Sequence, residues 1–317
     1  VRTQAFVVVR SPGLLTTVQD EGRWGWQHIG VPVGGPMDAL SCRRANRLAG
    51  NDPGAAALEI TLVGPTLEVH GPAIIAVAGA TFDARLDGEA CPHDTPVHVE
   101  GRALLTMGPR RRGTRAYLAV RGGFDTPVVL GSRSTSTGVP GTRPLQQGDV
   151  LPVASVSART SRLPASVITR AGLPRVPPDD KATSETDGVV TLRVLAVESA
   201  LPDDVLATLC AAPYEIGTQS NRMGYRLHGP RLTSAVHQQY SAGTVAGMLQ
   251  VPADGQPILL MADRQTTGGY PVAGVVISAD LPRAGQLAPG DRCAFVTCSR
   301  RDAMAALLAQ QQAELDG

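Results

Sequence analysis

The sequence predicts a mainly β protein, built as two β-domains in tandem with a few short helices. Three observations carry that expectation. Apolar segments are short, rich in Val, Ile and Leu, and cut by glycine or proline every few residues, as in sandwiches and barrels of many short strands. At 317 residues the chain is long for one hydrophobic core. Three short sequences also recur, in the same order, in its two halves. Leu62-Val63-Gly64-Pro65-Thr66-Leu67 echoes Leu227-His228-Gly229-Pro230-Arg231-Leu232, and Arg133-Ser134-Thr135-Ser136-Thr137-Gly138-Val139-Pro140 echoes Arg264-Gln265-Thr266-Thr267-Gly268-Gly269-Tyr270-Pro271. Leu145-Gln146-Gln147-Gly148-Asp149 echoes Leu287-Ala288-Pro289-Gly290-Asp291. Each pair alone is ordinary turn chemistry, but three in order point to related domains.

Individual elements follow from local pattern. Strands are expected at Leu58–Leu62, Ala73–Val77, Ala116–Val120, Pro257–Ala262 and Val272–Ile277, all short and apolar. One helix runs from Asp38, a side-chain N-cap, to Gly50, a C-terminal stop, with Leu40, Ala45 and Leu48 on one face. A second covers Asp203 to Ala211 and turns Val205, Leu206 and Leu209 inward. The third begins near Asp302 with Met304, Leu307 and Leu308 inward, and its Gln-rich tail frays. Residues 157–188, dominated by Ser, Arg, Pro, Asp and Thr, form the linker between a first domain at 1–156 and a second at 189–317.

Composition excludes several classes of function. With 29 basic and 28 acidic residues there is no electrostatic footprint for nucleic acid or an anionic membrane. No apolar run approaches the roughly 20 residues of a membrane helix. The first residues lack a signal-peptide core, so a cytoplasmic location is the expectation. Five scattered cysteines and six histidines show no zinc or Ser/His/Asp spacing, and no metal site is expected in this chain. Lys181 is the sole lysine and lies in the linker, so no lysine nucleophile, Schiff base or P-loop lysine sits in an ordered pocket. Anions must be met by arginine, backbone N–H groups or metal.

Four segments carry more functional groups than a scaffold needs. In Thr16-Thr17-Val18-Gln19-Asp20-Glu21-Gly22-Arg23-Trp24-Gly25-Trp26, the side chains of Gln19, Asp20 and Arg23 suit a polar substrate; a solvated hairpin with Trp24 and Trp26 on the core fits equally. Arg121-Gly122-Gly123-Phe124-Asp125 with Gly131-Ser132-Arg133-Ser134-Thr135 reads as an anion cradle or as two tight turns. In Ser220-Asn221-Arg222-Met223-Gly224-Tyr225-Arg226-Leu227, Asn221 and Arg222 at a strand entrance suit a carboxylate, while Arg222 and Arg226 also suit a charged edge face. The densest is Asp263-Arg264-Gln265-Thr266-Thr267-Gly268-Gly269-Tyr270-Pro271, joined by Gln250 and Asp254 from the run before it. There Asp263 suits a general base or a magnesium ligand, Gly268 and Gly269 an oxyanion pocket, and Tyr270 its closing side.

These segments, with Leu58-Glu59-Ile60-Thr61, Tyr117-Leu118-Ala119-Val120-Arg121-Gly122-Gly123 and Gln250-Val251-Pro252-Ala253-Asp254-Gly255-Gln256-Pro257, resemble one family. It is known variously as the C subunit of 5-oxoprolinase, allophanate hydrolase subunit 2, or the biotin-dependent carboxyltransferase domain of urea carboxylase. The resemblance implies two cyclophilin-like β-barrel domains and a cyclophilin-like B subunit as partner, with an A subunit in the 5-oxoprolinase system. It implies ATP-dependent opening of the 5-oxoproline lactam to glutamate, with ATP and Mg used by the complex. Asp263 would then be base or metal ligand, Arg264 and Arg222 would hold anions, and Gln19, Asn221 and Thr267 would orient the substrate amide, with Gly268 and Gly269 donating N–H groups. Two alternatives stay open: carboxyl transfer in urea or allophanate metabolism, with biotin carried by another domain or protein, and a regulatory module that antagonises a sensor-kinase inhibitor. The chain departs from the family where Ala196-Val197-Glu198-Ser199 replaces a Gly-Pro turn and Ser241-Ala242-Gly243 replaces Ser-Glu-Gly.

Overall fold

The computed structural model describes residues 4–155, 188–197, 201–202, 204–232 and 240–316. The expected linker lies outside them except for Gly188. The chain divides into two compact units, one of Val1–Trp24 with Gly34–Arg175, the other of Gly25–Val33 with Val176–Gly317.

The first unit holds β1 (Phe6–Ser11), β2 (Leu15–Gln19), helix α1 (Ala39–Ala49), β3 (Ala57–Thr61), β4 (Thr66–His70), β5 (Ala73–Leu86), β6 (Glu89–Ala90), β7 (Val97–Val99), β8 (Arg102–Val120) and β9 (Val150–Pro152). They form one nine-stranded sheet in the order β2-β3-β8-β4-β1-β9, with β5 paired to β6, β7 and β8. The expected strands are present, but two extend well beyond their apolar pattern. Segments 73–77 and 116–120 are the ends of β5 and β8, long ribbons paired through three register shifts between Gly79 and Ala84. Such bulges bend a ribbon without ending it, so apolar periodicity lapses while pairing continues. The core of this unit is Val7, Val9, Leu58, Ile60, Leu67, Val69, Ile75, Val77, Leu105 and Leu118, all at most 1% exposed.

Helix α1 begins and ends where its caps dictate. The Asp38 carboxylate accepts from Ser41 N at 3.0 Å, and Gly50 closes the helix at φ 79°. Cys42, Ala45, Leu48 and Ala49 pack on Ala57, Ala76, Ala78, Tyr117 and Ala119. Leu40 stands only half-buried, beside that face.

The outer edge of β2 is not bare. Thr135 N donates to Val18 O at 2.8 Å and Leu145 N to Thr16 O at 2.9 Å, so the 132–145 loop occupies the position of a further strand.

The second unit closes. Strands β10 (Val189–Leu195), β11 (Tyr214–Ile216), β12 (Gly224–His228), β14 (Met248–Gln250), β15 (Ile258–Leu260), β17 (Val272–Val276) and β18 (Arg292–Thr297) form a barrel in the order β10-β17-β14-β15-β12-β11-β18, sealed by parallel pairing of β10 with β18. Strands β13 (Ala242–Gly243) and β16 (Thr267–Gly268) make a separate ribbon. Closure leaves no hydrogen-bonding edge in this sheet, whereas the first unit's sheet curls and stays open.

Among the described residues the second unit also holds the α-helices α2 (Val205–Cys210), α3 (Leu281–Ala284) and α4 (Arg300–Asp316). Val205 and Leu209 of α2 are buried, and Leu206 is half-buried. The inward face expected for the last helix is corrected: Met304 and Leu308 are 58% and 57% exposed, and only Leu307 is partly covered. The helix is held from another side, where Gln310 Nε2 donates to Ala279 O at 3.0 Å.

All five cysteines are free thiols. Burial pushes the Cys293 thiol up to about 12 and raises Cys91 as well.

One ion cluster ties three neighbouring strands of the first unit. Glu68 on β4 accepts from Arg10 Nε on β1 at 2.8 Å and from Arg102 Nη2 on β8 at 2.9 Å, while His70 Nε2 lies 2.6 Å from its other oxygen. Hydrogen bonds from Arg102 and then Arg10 hold the Glu68 carboxyl at about 2, below its ordinary 4.5. A carboxyl with a depressed native value contributes stability that is complete above its unfolded value and lost as pH falls through the native one. We expect Glu68→Gln to melt below wild type at pH 7, with the gap constant down to about pH 5, mostly lost by about pH 2 and gone only below it. Thermal denaturation across that range reads it directly; a gap unchanged at pH 2 contradicts the assignment.

Candidate functional site

The sequence candidates fall into one cluster in each unit. In the first, Gln19 ends β2, and the turn behind it carries Asp20 and Arg23. The Asp20 carboxylate is fully engaged. Ser132 Oγ and Ser134 Oγ donate to Oδ1, Gly22 N reaches Oδ1 at 2.9 Å, and Arg133 N reaches Oδ2 at 2.6 Å. Burial alone would raise its pKa; these four hydrogen bonds outweigh burial and hold it below the ordinary aspartate value. Asp20 therefore knits the 132–134 loop to the β2 turn. Arg23, 1% exposed, donates from Nη2 to Ser134 O and serves the same loop. Gln19 is fully buried, and its Nε2 donates to Thr17 Oγ1 at 3.0 Å and Thr135 O at 2.9 Å. The tryptophans of this turn do not face the core. Trp24 and Trp26 are 65% and 37% exposed, with Trp24 Nε1 donating to Glu21 O.

Behind this turn lies a buried network that polarity counts miss, because its members sit in apolar strands. Tyr117 OH donates to Glu59 Oε2 at 2.7 Å and accepts from Asp38 N at 2.8 Å, while Met37 N donates to the same Glu59 oxygen at 2.8 Å. Burial first, then the Glu59 and Asp38 charges, raises the Tyr117 phenol well above its usual value. The network pins the Gly34–Asp38 segment, where a Cβ on Gly35 (φ 87°) would stand 3.4 Å from Asp20 O.

The second cluster surrounds the 263–271 loop. Asp263 and Arg222 form a buried pair, 3% and 7% exposed, with Nε–Oδ2 at 3.0 Å and Nη2–Oδ1 at 3.2 Å. The backbone repeats the link, since Asp263 N donates to Arg222 O at 2.8 Å. Arg222 thus precedes β12 and points inward, away from the exposed Arg226 with which strand alternation would group it. Asn221 is exposed, and its Oδ1 accepts from Met223 N at 2.8 Å as a turn cap.

Arg264, one residue on, is different. It is half-buried, its nearest acceptor is Met261 O at 3.4 Å from Nη1, and its Nε is enclosed without an acceptor. No carboxylate pairs with it among the described residues. Burial draws its pKa below the ordinary arginine value, the direction a bound anion would reverse. Thr267 and Gly268 form β16 against Gly243 and Ala242. Gln265, which composition alone does not single out, donates from Nε2 to Gln250 Oε1 at 3.2 Å, and its carbonyl accepts from Thr244 Oγ1. Tyr270 is 44% exposed. Among the described residues no three metal-ligating side chains converge. A shallow cavity of about 290 Å³ lined by Pro72, Ile74, His98, Glu100 and Arg121 includes, of the candidate segments singled out in the sequence, only Arg121.

The chain thus contains a closed β-barrel bearing an arginine–glycine loop and a curled sheet bearing a serine–aspartate turn. Residues 29–297 match the family "Carboxyltransferase domain, subdomain A and B", and the chain belongs to it. It is 37% identical over 313 residues to the C subunit of 5-oxoprolinase from Escherichia coli (strain K12), spanning 95% of this chain and 94% of that protein. It is 34% identical to urea amidolyase of Saccharomyces cerevisiae, spanning 92% of this chain but 17% of that protein. Among solved structures, K. lactis urea amidolyase superposes with a TM-score of 0.85 at 31% identity, over 99% of this chain and 20% of that one.

Removing one partner of the buried pair strands the other charge. Asp263→Ala should destabilise the protein by about 3–5 kcal/mol, and the joint replacement Arg222→Met with Asp263→Leu by clearly less. Denaturant unfolding of both variants measures the difference; equal losses would show that the pair contributes only packing.

Proposed function

We propose that this chain is the C subunit of an ATP-dependent 5-oxoprolinase, acting with B and A subunits to open the lactam of 5-oxoproline to glutamate. One observation carries the choice of substrate. Asp263 neutralises Arg222, so the loop's uncompensated cation is Arg264, and a half-buried guanidinium without a carboxylate suits an anionic ligand. 5-Oxoproline brings a carboxylate; urea is neutral. Similarity to the C subunit of a 5-oxoprolinase along 94% of its length supports the same reading.

Chemically, a lactam carbonyl is a weak electrophile. Transfer of the ATP γ-phosphoryl group to its oxygen gives ADP and a phosphorylated imidate. A first water adds to that carbon and the C–N bond breaks, the nitrogen leaving as the protonated amine; a second water then hydrolyses the resulting γ-acyl phosphate to phosphate and the γ-carboxylate of glutamate. This chain's share is to hold the substrate carboxylate on Arg264. The fit to magnesium fails here, because both Asp263 oxygens already accept from Arg222 and no three ligating side chains converge among the described residues. Magnesium is therefore assigned to the partner subunits. Asp263 is better suited to positioning the loop than to taking a proton.

Urea carboxylation is the competing reading, supported by likeness to urea amidolyase. The complex with B and A should hydrolyse ATP in response to 5-oxoproline, and not to urea with bicarbonate and a biotinylated carrier. Arg264→Gln should raise KM for 5-oxoproline about 10- to 100-fold with little change in kcat, matching the loss of one charge-assisted contact of about 1.5–3 kcal/mol. Stimulation by urea alone overturns the proposal. Absence of any turnover, with regulation of a kinase inhibitor instead, would favour the regulatory reading.

A further inference from the structure

Gln250 closes β14 and is 2% exposed. Its amide has a fixed sense. Oε1 accepts from Gln265 Nε2, so the Gln250 nitrogen is turned the other way, toward Gly268. A Cβ on Gly268 would stand 2.3 Å from that nitrogen and 3.4 Å from Cδ. The φ of Gly268 is not positive, so glycine is needed there for close approach and not for backbone conformation. The Gln250 nitrogen donates to no acceptor among the described residues. On a side chain 2% exposed, an amide donor without a protein acceptor is left for water or a ligand to complete.

We propose that Gln250 Nε2 donates to the carbonyl oxygen of an amide-type substrate, and that Gln265 is the positioning residue that sets its orientation. The inference rests on the 263–271 loop being the substrate site. It holds for a lactam or a urea alike, because both present a carbonyl oxygen, and so it is separable from the choice between them. The site would read oxygen as an acceptor; an N–H group placed there would face another donor.

The test replaces that oxygen by sulfur, a weaker acceptor. 5-Oxoproline and its thiolactam, and urea and thiourea, are compared in the complex with B and A subunits, by ATP turnover and by calorimetric binding. Wild type should prefer the oxygen compound of the responding pair by about tenfold or more. Gln250→Leu should raise KM or Kd for the oxygen compound about tenfold, leave the sulfur compound nearly unchanged, and erase the preference. Gln265→Glu offers Gln250 only acceptors and reverses its amide, so it should erase the preference too, whereas Gln265→Lys keeps a donor and should restore part of it. Gly268→Ala drives a methyl against the amide nitrogen and displaces it, and should weaken the oxygen compound with Gln250 still present. Melting curves establish that each variant folds. A preference retained in Gln250→Leu, or absent in wild type by both turnover and binding, overturns the inference. A preference seen only with urea and thiourea keeps it and overturns the 5-oxoprolinase reading.

Discussion

The second unit's loop depends on one buried ion pair. Arg222 and Asp263 meet through two side-chain hydrogen bonds and one backbone bond, and Met261 N adds another to Met223 O at 3.0 Å. Together these links between the start of β12 and the end of β15 fix the chain direction just before the candidate groups of the 263–271 loop emerge. The pair also settles the charge. Arg222 and Arg264 share the region with Asp263, the aspartate is consumed, and the positive charge left over is that of Arg264. In the first unit Asp20 is consumed likewise, by two serine hydroxyls and two backbone N–H groups. In both places the acid holds a loop in shape.

The two units share local engineering. Asp149 Oδ2 accepts from Gln146 N at 2.8 Å, and Asp291 Oδ2 accepts from Ala288 N at the same distance. Gly148 and Gly290 each have φ 89°. Gly148 N bonds to Val9 O and Asp149 O receives Val9 N; Gly290 N bonds to Ile216 O and Asp291 O receives Ile216 N. The faint Leu-x-x-Gly-Asp echo in the sequence is thus one device made twice, a turn that clasps a strand by both its polar groups.

What the sequence made legible was what short-range chemistry decides. The caps of α1 were readable because Asp38 and Gly50 act on their own helix. The 263–271 loop stood out in the sequence because so many polar types rarely share one turn. Partnerships over long separations were not readable. Nothing local says that Asp263 is spent on an arginine 41 positions earlier, and alternation instead groups Arg222 with Arg226. The exposure of Trp24 and Trp26 runs against their hydrophobicity, and the outward Met304 and Leu308 run against a helical pattern that offers more than one apolar face. Closure of one sheet and not the other depends on the β10–β18 pairing, made between segments far apart in the chain.

The 132–145 loop carries two duties at once. Its serines surround Asp20, and its backbone N–H groups cover the outer margin of β2. A protein that loosened this loop to admit a different ligand would also uncover a strand ready to recruit another chain. The loop's freedom to evolve is therefore limited by solubility as well as by chemistry. Diversification within this unit is cheaper on side chains that face away from β2.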